Sequence, residues 1–138
     1  MRAVILMGFA SLLALSPAIS GEAEQKQAQE IITSQIEAFK SGQDAEAYSY
    51  ASPVVKGFFP DVSIFMGMVK RGYQPVYNPK NYNFGRAKEP ADGKVVQEVL
   101  LTGPDGKPWT ALYEMVRQPD GTWKVNSVQL LPGDDSSA

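Results

Sequence analysis

Gly103-Pro104-Asp105-Gly106-Lys107 and Gln118-Pro119-Asp120-Gly121-Thr122 are two copies of one pattern, x-Pro-Asp-Gly-x, each set between stretches of alternating apolar residues. In both, proline presets one turn dihedral, aspartate bonds back to the local backbone, and glycine accepts a left-handed conformation. The pattern predicts a three-residue hairpin loop, a type I turn followed by left-handed glycine. Loop length then fixes which residues stand opposite one another. In the first hairpin Leu101 faces Trp109, Val99 faces Ala111 and Gln97 faces Tyr113. In the second, Met115 is expected to face Val125, Tyr113 to face Ser127 and Ala111 to face Gln129.

That register sorts the side chains onto two faces. One carries Val95, Val99, Leu101, Trp109, Ala111, Met115 and Val125, and within it runs a polar row of Gln97, Tyr113 and Ser127. The other mixes Lys94, Glu98, Glu114, Lys124 and Asn126 with Val96, Leu112, Val128 and Leu130. The first face is the one that a layer of helices should cover.

Working outward, Asn81 begins another strand over residues 81–86, with Tyr82 and Phe84 on one face, and Pro90-Ala91-Asp92-Gly93 turns the chain into residues 95–102. Strands are expected at 109–118 and 122–131. Pro75 and Pro79 confine residues 76–78 to a loop or sheet edge. Before the strands come helices. Over residues 22–40, Ala28, Ile32, Ile36 and Phe39 recur on one side, and Ser41-Gly42 closes the helix. Asp44 is expected to cap a short helix, and Pro53 to open a further turn. Pro60-Asp61 should start a third helix whose buried side is Phe65, Met68 and Val69 and which Gly72 ends. Helices followed by strands, with no alternation of the two, predict an α+β domain: N-terminal helices wrapped on one curved antiparallel sheet of about four strands, shaped like a cone.

Composition narrows the function classes. The first twenty residues read as a secretory signal: Arg2, an apolar run over residues 3–15, a break at Pro17, and small residues at Ala18 and Ser20, with cleavage expected between Ser20 and Gly21. The apolar run is shorter than the roughly 20 residues of a membrane-spanning helix, so no span is expected in the mature form. The mature domain should cover residues 21–131, with an acidic disordered tail at 132–138. Losing Arg2 takes the net charge from −2 to −3, which argues against a nucleic-acid partner. The chain has no His and no Cys. That removes the usual zinc, copper and haem ligands, the disulfides, and the common nucleophile–base pairs. No metal, cofactor or catalytic residue is expected.

The block Met68-Val69-Lys70-Arg71-Gly72-Tyr73-Gln74-Pro75-Val76-Tyr77 resembles a known family. So do Ile32-Thr33-Ser34-Gln35-Ile36-Glu37-Ala38-Phe39, Tyr50-Ala51-Ser52-Pro53, Trp109-Thr110-Ala111-Leu112-Tyr113 and Gly121-Thr122-Trp123-Lys124-Val125. The family is domain of unknown function 4864, small exported bacterial proteins, and the resemblance covers nearly all of residues 21–138. It implies the nuclear-transport-factor-2-like superfamily, an α+β cone, and favours a periplasmic location. It implies no catalytic residue, because the family carries no assigned activity, and fold alone does not choose one.

Three functions are then open. The leading expectation is non-catalytic binding of a small apolar ligand in the cone, with Gln97, Tyr113, Ser127, Trp109, Met115 and Phe39 as the candidate binding residues. An assembly module is the second, a homodimer through the apolar residues of the outer sheet face or a contact through Tyr73-Gln74-Pro75-Val76-Tyr77. The third is a cone-fold isomerase or dehydratase with Tyr113 as proton donor. It lacks a base, since no Asp or Glu falls on the covered face and Glu37 and Asp44 only approach its mouth.

Overall fold

Both turns close in the same way. In the first, Gly106 N–H donates to Gly103 O at 2.9 Å and Gly103 N–H to Lys107 O at 2.8 Å. In the second, Gly121 N–H donates to Gln118 O at 2.8 Å and Gln118 N–H to Thr122 O at 2.7 Å. The glycines sit at φ 85° and 89°, the left-handed region that the turn requires.

A computed structural model describes residues 16–133 of the chain. Its elements are α1 (Ser16–Lys40), α2 (Asp44–Ser49), α3 (Pro53–Phe58), α4 (Val62–Gly72) and α5 (Gln74–Tyr77), followed by β1 (Asn81–Ala91), β2 (Lys94–Thr102), β3 (Pro108–Arg117) and β4 (Trp123–Pro132). The strands form one open, curved antiparallel sheet in the order β1-β2-β3-β4. Helices cover one face of it, giving an α+β fold.

The core lies where the alternation placed it. Ala28, Ile32 and Ile36 of α1 are fully buried, as are Val95, Val99, Ala111 and Met115 of the sheet. Phe39, Tyr48 and Phe65 join α1, α2 and α4 in an aromatic cluster, with ring centroids 6.3 Å apart for Phe39–Phe65 and 5.2 Å for Tyr48–Phe65. On α4 the buried side is Phe65, Met66 and Val69, so Met66 takes the core position expected of Met68.

Several boundaries differ from the expectation. Helix α1 is described from Ser16 and runs unbroken past Ser20 and Gly21. Residues 1–15 of the expected signal lie outside the described residues, as do 134–138 of the tail, whereas Pro132 belongs to β4. Asp44 is the first residue of α2 and not its cap; Gln43 holds the cap position without a side-chain bond. Ser52 caps α3, accepting Val55 N–H at 3.3 Å, and Asp61 caps α4, accepting Ile64 N–H at 2.9 Å. Residues 74–77 form a short helix because Pro75 occupies a first-turn position, where proline is favoured.

The first hairpin keeps the predicted register throughout, Leu101 to Trp109, Val99 to Ala111 and Gln97 to Tyr113. The second keeps it only as far as Met115 and Val125. There Asn126 is inserted as a bulge, and beyond it Tyr113 faces Val128, not Ser127, and Ala111 faces Leu130, not Gln129. A one-residue slip exchanges the faces of everything that follows. Val128 and Leu130 therefore turn inward and pack on the core, while Ser127 pairs with Glu114 on the outer face. The outer face keeps Val96 and Leu112 but loses two of the four apolar residues expected there.

Candidate functional site

Without Ser127, the polar row reduces to Gln97 and Tyr113, both fully buried. Gln97 is held by its neighbours. Its Nε2 lies 3.2 Å from Gly85 O, 3.2 Å from Arg86 O and 2.8 Å from Glu98 O, while its Oε1 accepts Gln29 Nε2 at 3.0 Å. The Gly85 and Arg86 carbonyls belong to a bulge in β1 between Phe84 and Ala87, so Gln97 fastens an irregular strand to the sheet. Glu98 works from the opposite side, its Oε1 accepting Arg86 N–H at 3.0 Å. That bond, more than the Arg86 guanidinium, holds the Glu98 carboxyl below its ordinary range.

Tyr113 differs from Gln97: its hydroxyl is buried with no hydrogen-bond partner among the described residues. Burial pushes its pKa far up, and the nearby Tyr82 adds to the shift. Tyr82 has a partner, donating its hydroxyl to Glu37 Oε2 at 2.6 Å. Its pKa is raised to about 12, first by burial and then by that bond to the carboxylate. Met115 is sealed in the core, and Trp109 is half-buried opposite Leu101 and Pro132.

An apolar space capable of holding a ligand lies elsewhere. A cavity of about 290 Å³ lies between β4 and the α3–α4 layer. Of the residues predicted for the site, Phe39 and Ser127 line it; Gln97, Tyr113, Trp109 and Met115 do not. Its walls include Val54, Phe58, Phe65, Met68, Val69 and Val128, and its lining residues with polar side chains are Gln35, Tyr73, Asn126 and Ser127, the last paired with Glu114 on the outer face. Gln35 is committed to Ala47 O at 3.0 Å. Asn126 is likewise engaged, donating to Glu114 Oε1 and accepting the Ser52 hydroxyl, both at 2.8 Å.

The rim explains itself through α3. A helix of six residues carrying Val54, Val55, Phe58 and, just beyond it, Phe59 has more apolar side chains than one buried face accepts. Phe59 is anchored by its carbonyl, which accepts the Tyr48 hydroxyl at 2.7 Å. Phe58 and Val54, four residues apart, are left 75% and 57% exposed at the cavity edge. The doubled apolar pairs Val54-Val55 and Phe58-Phe59 were the sequence signal for this rim. No Asp or Glu lines the cavity, and among the described residues no cluster of metal-ligating side chains exists. No helix among them is long and apolar enough to cross a membrane.

The family model described as a domain of unknown function (DUF4864) matches residues 21–138. The chain belongs to that family. No curated protein matches the sequence. The family match spans the helix-on-sheet unit from Gly21 within α1 through β4, cavity included, and brings no activity with it.

Proposed function

We propose that this DUF4864 protein is a non-catalytic binding module that takes an apolar ligand into the cavity between β4 and α3–α4. One observation carries the reading: an apolar cavity of about 290 Å³ whose edge is marked by the exposed pair Val54 and Phe58. Binding sites are concave and mostly apolar, with few polar groups to orient what enters. An engineered apolar cavity of about 150 Å³ holds benzene, so this one has room for a two-ring molecule or a short acyl chain. Its lining offers shape and no carboxylate, which favours holding over chemistry. The same build, helices wrapped on one curved sheet, supports membership of the nuclear-transport-factor-2-like superfamily.

The working molecule in this reading is the exported form beginning at Gly21. Every residue that lines the cavity lies well beyond that point, so cleavage leaves the site whole. Titration of the protein with 2-naphthol, followed by fluorescence, tests the reading. One saturable site is expected, weakened at least about tenfold in Val54→Trp, which fills the mouth from an exposed position. No saturable binding, or equal binding by the variant, overturns it. The intact mass of the exported protein checks the cleavage.

A further inference from the structure

β4 is an edge strand, and only its first half is covered. Val125 N–H donates to Tyr50 O at 2.8 Å and Val125 O accepts Ser52 N–H at 2.9 Å, a short parallel bridge that occupies the outer edge there. At the far end Gly133 N–H donates to Pro108 O at 2.9 Å, so Gly133 turns its backbone toward β3. Backbone direction alternates along a strand, so Ser127, Gln129 and Leu131 also turn toward β3. Val128 and Leu130 point the other way. Their N–H and C=O groups face outward, and among the described residues no strand pairs with them.

An unpaired edge is a template for another strand, and proteins commonly blunt it with lysine, proline or a covering loop. Between Asn126 and Leu131 this edge carries neither charge nor proline. The apolar cavity runs beside it: Ala51, where the parallel bridge sits, and Val125 to Val128 all line the cavity, with Val54 and Phe58 across from them. The side chains of Val128 and Leu130 lie on the inner, cavity-bearing side of the sheet. The groove therefore presents two outward-facing backbone units on one wall and apolar side chains on the other.

We infer that the groove between β4 and α3 binds an extended peptide by strand addition to Val128 and Leu130, with apolar side chains at alternate positions entering the cavity. This deepens the apolar-ligand reading and rests on it. A small apolar molecule would satisfy the cavity and leave the edge bare. An extended polypeptide satisfies both, because its backbone supplies matching donors and acceptors and every second side chain falls on one face. The site also continues an edge pairing that the chain itself begins, since Tyr50-Ala51-Ser52 already occupies the adjoining part of β4 as a strand does. Specificity would be loose, an apolar residue every second position with small polar residues between.

The test uses the acetylated, amidated peptide Lys-Val-Thr-Phe-Thr-Val-Lys and two doubly N-methylated analogues, one methylated at Phe and the second Val, the other at the two Thr residues. Strand addition uses the amides of one alternate set only. One analogue should lose at least about tenfold in affinity and the other should bind nearly as the parent. Equal loss from both analogues, or loss from neither, overturns the inference. Failure of the parent peptide to bind while 2-naphthol still binds overturns it and leaves the cavity reading standing; failure of both probes overturns both. Hydrogen exchange on the free protein supplies a further check, because the Val128 and Leu130 amides should exchange rapidly until peptide is added. Slow exchange at both in a protein of dimeric mass would show the edge already taken by a second copy, and would also overturn it.

Discussion

Asn126 accepts the Ser52 hydroxyl at 2.8 Å, across 74 residues of sequence. Ser52 is 1% exposed and caps α3, so this bond ties the start of that helix to the bulge in β4. The second amide atom of Asn126 donates to Glu114 Oε1 at 2.8 Å, directly across the strand pair. Both ends of one side chain are thus used, and the extra residue is held in place. The bulge in turn brings Val128 and Leu130 inside, where Val128 forms part of the cavity wall.

Asn126→Ala leaves the buried Ser52 hydroxyl without its acceptor and should destabilise the fold by about 1–3 kcal/mol. Deleting Asn126 removes the extra residue and leaves Ser127 opposite Glu114 and Val128 opposite Tyr113, so the side chains keep their faces and the cost should be of the same order as that of Asn126→Ala. Urea unfolding of the two variants checks this. A deletion that unfolds the protein would show that the bulge is needed for more than its bonds to Ser52 and Glu114.

Tyr113→Phe should behave in the opposite sense. The hydroxyl is fully buried and unpartnered, so removing it relieves a desolvation cost of about 1–3 kcal/mol and loses no bond within the described residues. Stability is expected to hold or rise. A fall of more than about 1 kcal/mol would show that the hydroxyl has a partner in solution.

The fold was legible because its signals are local and agree with one another. Two Pro-Asp-Gly turns, one helix-period stripe from Ala28 to Phe39, and alternation over residues 95–101 each point to the same architecture. The failures share a cause. Asn126 and the Phe84–Ala87 bulge of β1 are held by side-chain bonds to distant residues, Ser52 and Gln97, and no period within a strand reveals those contacts. The candidate site inherited the error. Ser127 falls out of the polar row once the bulge shifts the register, and Val54 and Phe58 take their meaning from what α3 lies against, which no local pattern shows.

Gln97 gives a direct measure of such a contact. With three carbonyls converging on its Nε2 and no exposure, Gln97→Ala should cost about 2–4 kcal/mol, combining unsatisfied groups with a small void. The damage should be local first. Amide exchange at Ala87 and Lys88 should accelerate more than at Val99 or Ala111, as measured by exchange and NMR. Uniform acceleration would contradict a role confined to the β1 bulge.

Glu98 makes stability depend on acid. Its folded pKa is lowered from the ordinary 4.5, chiefly by the Arg86 backbone N–H, so the unfolded chain takes up the proton more readily. Its contribution is therefore complete above pH 4.5 and is lost as pH falls through the folded value. The guanidinium of Arg86 is 88% exposed and adds little. Glu98→Gln keeps an acceptor for the N–H but not the charge. It should be less stable than wild type by about 1 kcal/mol at pH 7, with the gap closing in acid. Asp120, lowered by Thr122 N–H, shapes the same limb and stays unchanged in this comparison.

Phe58 separates binding from folding. A ring left 75% exposed contributes little to stability, so Phe58→Ala should stay within about 0.5 kcal/mol of wild type in urea unfolding. At the cavity edge, the same ring is placed to close over whatever enters. Its loss should weaken 2-naphthol binding several-fold, and a comparable loss should appear with Phe58→Lys, which keeps side-chain length but not the apolar face. Unchanged affinity in both would place the ligand deeper, against Phe65 and Val69, with Phe58 outside the site. A stability loss beyond about 1 kcal/mol would show instead that the ring packs inward in solution. Either result would redraw the mouth of the cavity.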